Sequence, residues 1–343
     1  MHLPQEQSRG IIGQMTLTRY ALTLVAVLSA LPGCAQVDLV VGEKVSHSVG
    51  FYRADGARVV SIPVGKHPHE LALSPDGKQL YVSDNGMLWM TDPGAGGNTI
   101  SIIDIGQRKR SGVIDLGTYR RPHGLDVSRS GRLVVTVENP DGLLLVDPKA
   151  RKVVRFYELK GGVPHMVKLS ADGEWAYCSN TRTGTVAAVR LATGDVKTIA
   201  VGARPQGSVL SKDGTLLYVT NSDGNSISII DTRKQQTVGT IETGKGPGRI
   251  WLTPDEKQLV YNLQPGQAVG FADVRSGKQI ATVALPGPPL SLNLSPDGTL
   301  GYASVQSLDK ICVISIGERK IVRVLSTPKG AGPDAVIVLN NNR

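Results

Sequence analysis

Beyond residue 35 the chain is a long succession of short runs in which apolar and polar positions alternate, each ended by Gly, Asp, Asn or Pro. "QLYVSD", "TISIID", "LLYVTN" and "SISIID" carry the two-residue period of half-buried strands, and Ser-Pro-Asp-Gly, Lys-Asp-Gly and Ser-Asp-Gly-Asn between such runs are turn chemistry. No long amphipathic helical stretch follows residue 35.

The strands recur in sets of four. Aligned on a proline that opens each set, Pro68, Pro122, Pro164, Pro205, Pro247, Pro289 and Pro333 are separated by 54, 42, 41, 42, 42 and 44 residues. A period near 42 is that of propeller blades, each a meander of strands a to d. Pro333 is followed by one strand only, "DAVIVL", and the missing partners stand at the other end of the chain, with "VDLVVGEKV" as b, "HSVGFYRA" as c and "ARVVSIPVG" as d. The pattern therefore predicts an all-β fold over residues 36–343: a seven-bladed β-propeller of four-stranded antiparallel blades, the last closed by both termini so that no broken ring exposes its sheet edges. The long first repeat holds an extra segment, "GMLWMTDPGAGG", between strands b and c.

Composition agrees, with 40 Gly, 20 Pro and only 4% aromatic residues. Residues 218–221 spell Tyr-Val-Thr-Asn, and the surrounding "SKDGTLLYVTNSDGNSISIIDT" resembles the consensus of the YVTN-type β-propeller repeats across nearly the whole chain after residue 35. That resemblance implies the fold and little about function, because such propellers serve as binding modules, lyases, lactonases and redox proteins alike. A Trp-Asp repeat signature is absent, which disfavours the WD40 class, and there is no Cys-x-x-Cys-His motif for covalently attached haem.

Residues 1–34 read as a signal peptide: Arg19 precedes an apolar run too short for a comfortable membrane span, and Met15 is the better start. The run ends in "LPGC", which resembles a lipoprotein processing box with Cys34 as the lipidated residue; cleavage after Ala35 is the alternative. The expected location is the periplasm or cell envelope, with the membrane reached only through that lipid anchor. The other two cysteines, Cys178 and Cys312, sit in apolar strands and read as core residues, not a bridge.

In an antiparallel blade the start of strand a and the end of strand b share one face. The residue after each proline is His69, His123, His165, Gln206, Gly248, Leu290 and Asp334, and the aligned strand-b ends are Asp84, Glu138, Asn180, Asn221, Leu263 and Val305. Three histidines are thus expected to ring one sector of a channel mouth, with Asp84 and Glu138 beside two of them and His67, Arg121 and Trp89 of the extra segment close by. Converging imidazoles of His69, His123 and His165 are the minimum a three-nitrogen divalent-metal site needs, and a carboxylate beside an imidazole orients it for acid–base work. The bland alternative is a set of polar residues that bond water and backbone. "PHGL" followed by "TVEN" resembles streptogramin-type lyases, and "HPHELALSPDGKQLYVSDNG" is similar to part of the lactonases related to 6-phosphogluconolactonase; neither match extends along the chain.

The formal net charge is +9, with cations gathered in the c-to-d turns of the opposite face, such as Arg108, Lys109 and Arg110. Few aromatics accompany them, which argues against a nucleic-acid surface. The leading expectation is an exported, envelope-anchored monomer that binds a small ligand or an envelope protein at its histidine mouth. A metal-assisted lactonase or lyase at that mouth is the second reading, and a nucleic-acid-binding propeller the third.

Overall fold

In five of the seven blades described the inner strand begins at the repeated proline, which has no backbone donor to give the ladder. In the computed structural model, which describes residues 38–339, the innermost strands are Pro68–Leu73, Arg120–Val127, Pro164–Leu169, Pro205–Leu210, Pro247–Leu252, Ser291–Leu294 and Pro333–Val338. Each opens a four-stranded antiparallel sheet, and among the described residues there are seven such sheets. In the seventh, Pro333–Val338 pairs with Leu39–Glu43 in the register Leu39↔Val338 and Val41↔Val336, and Ser48–Tyr52 and Arg58–Pro63 complete it. Both ends of the described chain therefore close the ring, as the repeat arithmetic predicts.

The core is a ring of seven apolar layers, one between each pair of neighbouring blades. Ile100 and Ile102 of the first blade meet Leu133 and Val135 of the second, and Phe271 of the fifth packs with Ala303 and Ile314 of the sixth. These side chains are almost wholly buried, and burial of each Val, Leu, Ile or Phe among them is worth roughly 1.5–3 kcal/mol. Cys178 and Cys312 lie in these layers as free thiols, and burial pushes both thiols up, away from reactivity.

The a-to-b turns repeat one device. Ser74 Oγ donates to Asp76, whose carboxylate also accepts from the Lys78 amide, and Gly77 follows at φ 68°. Ser170–Asp172, Ser211–Asp213 and Ser295–Asp297 repeat the hydroxyl bond, which with the backbone amides holds these carboxyls below their usual range. On the same face some of the cations tie blades together: Arg151 donates to Ser111 O, and Arg155 to the carbonyls of Ala192 and Thr193. No helix among the described residues is long and apolar enough to cross a membrane. The signal-like segment and Cys34 lie outside the described residues.

Candidate functional site

The proline that opens strand a is followed by a bulge. Ladder pairing is interrupted between Pro68 and Leu71, Pro122 and Leu125, Pro164 and Val167, Pro205 and Ser208, and Pro247 and Ile250. A bulge re-aims the residues it contains, and the two after each proline are released from the flat pleat. The residue before the proline is also distinctive: His67, Arg121, Val163 and Arg204 all have left-handed φ between 45° and 55°. These local features, repeated blade by blade, build one mouth.

His69, His123 and His165 converge there and are all buried. Ring centroids of His69 and His123 are 4.5 Å apart at a steep interplanar angle, and those of His123 and His165 are 4.1 Å apart. Nε2 of His69 lies 2.8 Å from the Met87 carbonyl, which only accepts, so this nitrogen carries the proton and Nδ1 of neutral His69 is an acceptor. Nε2 of His123, 3.3 Å from that Nδ1, then donates to it. Nδ1 of His123 lies 2.9 Å from Glu138 Oε1, so imidazole and carboxylate share one further proton. The result is a continuous relay, Met87 O–His69–His123–Glu138, while Nδ1 of His165 is buried without a partner.

Burial holds His69 and His165 well below the usual histidine range, reinforced by Lys44 for the first and His123 for the second. The expected three-nitrogen metal site needs correction. The rings converge, but both nitrogens of His69 and of His123 are committed to hydrogen bonds, and among the described residues no group of three or more His, Cys, Asp or Glu is arranged to hold a metal ion.

The strand-b residues divide in a way that alignment hides. Pro68 pairs with Asp84, Pro164 with Asn180 and Pro205 with Asn221, but Pro122 pairs with Val137. Glu138 is therefore one residue out of step with Asp84, and a one-residue shift turns a strand side chain to the other face. Glu138 reaches the mouth. Asp84 instead accepts from the Gly65 amide and the hydroxyls of Thr99 and Ser101 inside its blade. Asn221 bonds Ser226 and Ser228, and Asn180 bonds Thr185. Asp84, Asn180 and Asn221 are thus structural residues, not part of the mouth. A glycine two or three residues before the proline makes room for each, since a Cβ on Gly65, Gly162 or Gly202 would stand 2.4–2.6 Å from these side chains.

Gln206 and Trp89 line the mouth cavity, of about 230 Å³, together with the three histidines. His67 stands on the rim against His47, its Nδ1 3.2 Å from the Lys44 carbonyl. The extra segment crosses the mouth as a strap. Arg121 fastens it by donating to the carbonyls of Met90, Asp92 and Gly94, and its guanidinium also lies 3.6 Å from Glu138. Trp89 sits on the strap with the Lys44 ammonium 5.5 Å from its ring centroid. A second cavity, of about 730 Å³, lies beside Arg121, Glu138 and Arg182 and shares Met90, Thr91 and Arg204 with the first.

Several residues around the mouth escape the proline alignment. Lys44, 3.0 Å from Asp334, and Asn85, which donates to Pro122 O, come from the ends of other elements. Glu70 and Arg249 occupy the second position after their prolines, where the other blades have Gly124, Met166, Gly207, Ser291 and Ala335. They pair with each other across the channel below the histidines. Reading that second position around the ring would have exposed them, because they are its two charged members.

No protein-family model matches the chain. Protein NirF of Pseudomonas aeruginosa is 28% identical over 153 residues, 43% of this chain and 38% of that protein. The uncharacterized protein YncE of Salmonella typhimurium is 24% identical over 205 residues, 57% of this chain and 54% of that protein. The chain thus spans about half or less of the curated relatives it matches. Among solved structures, the periplasmic gluconolactonase PpgL of Pseudomonas aeruginosa superposes with a TM-score of 0.73 at 17% identity, covering 89% of this chain and 99% of that one. Sequence pattern, strand register and these likenesses agree that the chain is a seven-bladed all-β propeller, similar in fold to PpgL.

Proposed function

We propose that this protein is an exported propeller that binds a small polar ligand at the histidine mouth. The observation that carries the reading is a cavity of about 230 Å³ walled by the three converging histidines His69, His123 and His165 together with Gln206, Arg204 and Arg249. Trp89 on the strap supplies an apolar face above the polar floor. Export rests on the signal-like segment before residue 35, with Cys34 as the proposed lipid anchor, and is compatible with the periplasmic location named for PpgL. Membership of the YVTN-type repeats rests on residues 211–232.

A second reading, lactone hydrolysis, draws on the likeness in fold to the periplasmic gluconolactonase PpgL and on the proton shared by His123 and Glu138 beside the mouth cavity. Both readings are tested by calorimetric titration of the untagged protein, and of its His123→Ala and His165→Ala variants, with sugar acids, sugar lactones and small carboxylates, while lactone hydrolysis is followed by acid release. Saturable binding weakened more than tenfold in both variants supports the ligand site; hydrolysis lost in His123→Ala supports the second reading. Equal binding by wild type and both variants would overturn the assignment of the mouth.

A further inference from the structure

The charged side chains that line the mouth cavity, Lys44, Arg204, Arg249 and Asp334, are each held in an ion pair. Lys44 lies 3.0 Å from Asp334, Arg249 is paired with Glu70, and Arg204 lies 3.6 Å from Asp223. The relay of His69, His123 and Glu138 holds one shared proton, and Arg121, behind Glu138, faces the neighbouring cavity and the strap carbonyls. The cavity is nevertheless rich in donors: an ammonium presents three N–H groups and a guanidinium five, so Lys44, Arg204 and Arg249 keep N–H groups beyond those their carboxylates use. Such a wall selects a ligand rich in acceptors, of which a carboxylate is the strongest. Yet an anion that enters a half-dry cavity of balanced charge leaves one negative charge uncompensated, and burying an unpaired charge is costly.

One group in the wall can cancel it. A proton added at Nδ1 of His69 would set its N–H against the N–H of His123, 3.3 Å away, so that imidazole is not the acceptor. His165 lines the same cavity, is neutral in the free protein, and has an unpartnered ring nitrogen. Resting on the ligand-binding reading above, we propose that the mouth takes a weak acid as its anion together with one proton, and that His165 receives that proton. The imidazolium then pairs with the bound carboxylate, and the ligand supplies the counter-charge that burial and the neighbouring His123, Arg249, His69 and Lys44 deny to the free protein. The sign is fixed: between the titration points of His165 in the free and the bound protein, affinity rises as pH falls, about tenfold per pH unit for one linked proton.

The test uses acetate, benzoate and gluconate, each against its neutral amide, with protein carrying ¹⁵N-labelled histidine. Calorimetry in two buffers of different ionisation enthalpy counts the protons taken up, and nitrogen shifts report the state of each imidazole. The expected result is uptake of one proton with at least one carboxylate at pH 7, conversion of His165 alone to imidazolium, no uptake with the amides, and a flat pH dependence in His165→Gln. Carboxylate binding with no proton taken up, uptake that persists in His165→Gln, or failure of all three carboxylates to bind would each overturn the proposal. Binding of an amide or a neutral lactone at the mouth in that last case would leave the ligand-binding reading standing, whereas its failure too, with the wider panel, would remove both.

Discussion

Arg249 on the inner strand of the fifth blade and Glu70 on that of the first form an ion pair across the central channel, 179 residues apart in sequence. Side-chain exposures of 14% and 11% make this a bar buried between two spaces: Arg249 lines the mouth cavity above and, with Glu70, a channel cavity of about 320 Å³ below. The mouth therefore has a floor, and ligand placed there meets a guanidinium that is held in position by a carboxylate.

Removing one partner of that bar strands the other. Arg249→Met leaves the Glu70 carboxylate without its cation in a largely buried site and is expected to cost about 3 kcal/mol in urea unfolding. The double variant Glu70→Met with Arg249→Met should recover most of this loss, because both desolvation penalties disappear together. Equal destabilisation by the single and double variants would show that packing of the aliphatic stems, and not the ion pair, carries the effect.

Asp84 and Glu138 are expected to respond in opposite ways. Asp84→Ala deletes the acceptor of three hydrogen bonds, from the Gly65 amide and the hydroxyls of Thr99 and Ser101, and should destabilise the fold by about 2–3 kcal/mol while leaving mouth binding unchanged. Glu138→Gln should leave thermal stability nearly intact and weaken binding, since it loosens the orientation of His123. Paired measurement of melting temperature and ligand affinity for the two variants decides this.

That contrast marks the limit of what sequence alone can give. The proline period and strand alternation suffice for the blades and even for ring closure, because both are local signals repeated many times. His69, His123 and His165 are legible for the same reason. The difference between Asp84 and Glu138 is not, because alignment by eye places both fifteen residues after a histidine, whereas the pairing of Pro122 with Val137 shifts the second blade by one residue. Glu70–Arg249 joins the first blade to the fifth across the ring, and Lys44–Asp334 joins the two ends of the sequence within the seventh blade, and no local pattern brings such pairs together.

Acid should destabilise the protein through the mouth histidines. His69 and His165 are held well below their ordinary value of 6.5, so the unfolded chain binds more protons than the folded one as pH falls through that value. Their contribution is present above pH 6.5 and is lost progressively below it, until the folded-state values are reached. Melting temperature measured against pH should fall less steeply below 6.5 in the His69→Gln, His165→Gln double variant than in wild type; parallel curves would refute this origin.

Ring closure predicts a further effect. Residues Pro333–Val338 pair with Leu39–Glu43, so truncation before Pro333 leaves the edge of Leu39–Glu43 bare and opens the layer formed by Leu39, Val41, Ile311 and Val336. An exposed strand edge templates association with other chains. The truncated protein should aggregate in light scattering at temperatures where the full chain is monodisperse, and unchanged solubility and melting would contradict closure by this strand.

The strap over the mouth depends on Arg121 in a way that charge alone does not supply. Its guanidinium spans three carbonyls, those of Met90, Asp92 and Gly94, from a left-handed backbone position of φ 55°, and a Cβ at Gly96 would stand 2.4 Å from its side chain. A lysine at this place presents a point charge in place of a planar fork and cannot reach all three. Arg121→Lys is therefore expected to release the strap nearly as fully as Arg121→Ala, raising amide exchange across residues 88–96 and proteolytic cleavage there, and altering the fluorescence of Trp89 as its ring leaves Lys44. The seven blades should keep their melting temperature in both variants, since the strap contributes one buried apolar residue, Met87, to the described core. Protection of residues 88–96 retained in Arg121→Lys would show that the strap is held by His69 and its own turn contacts, with Arg121 acting only through Glu138.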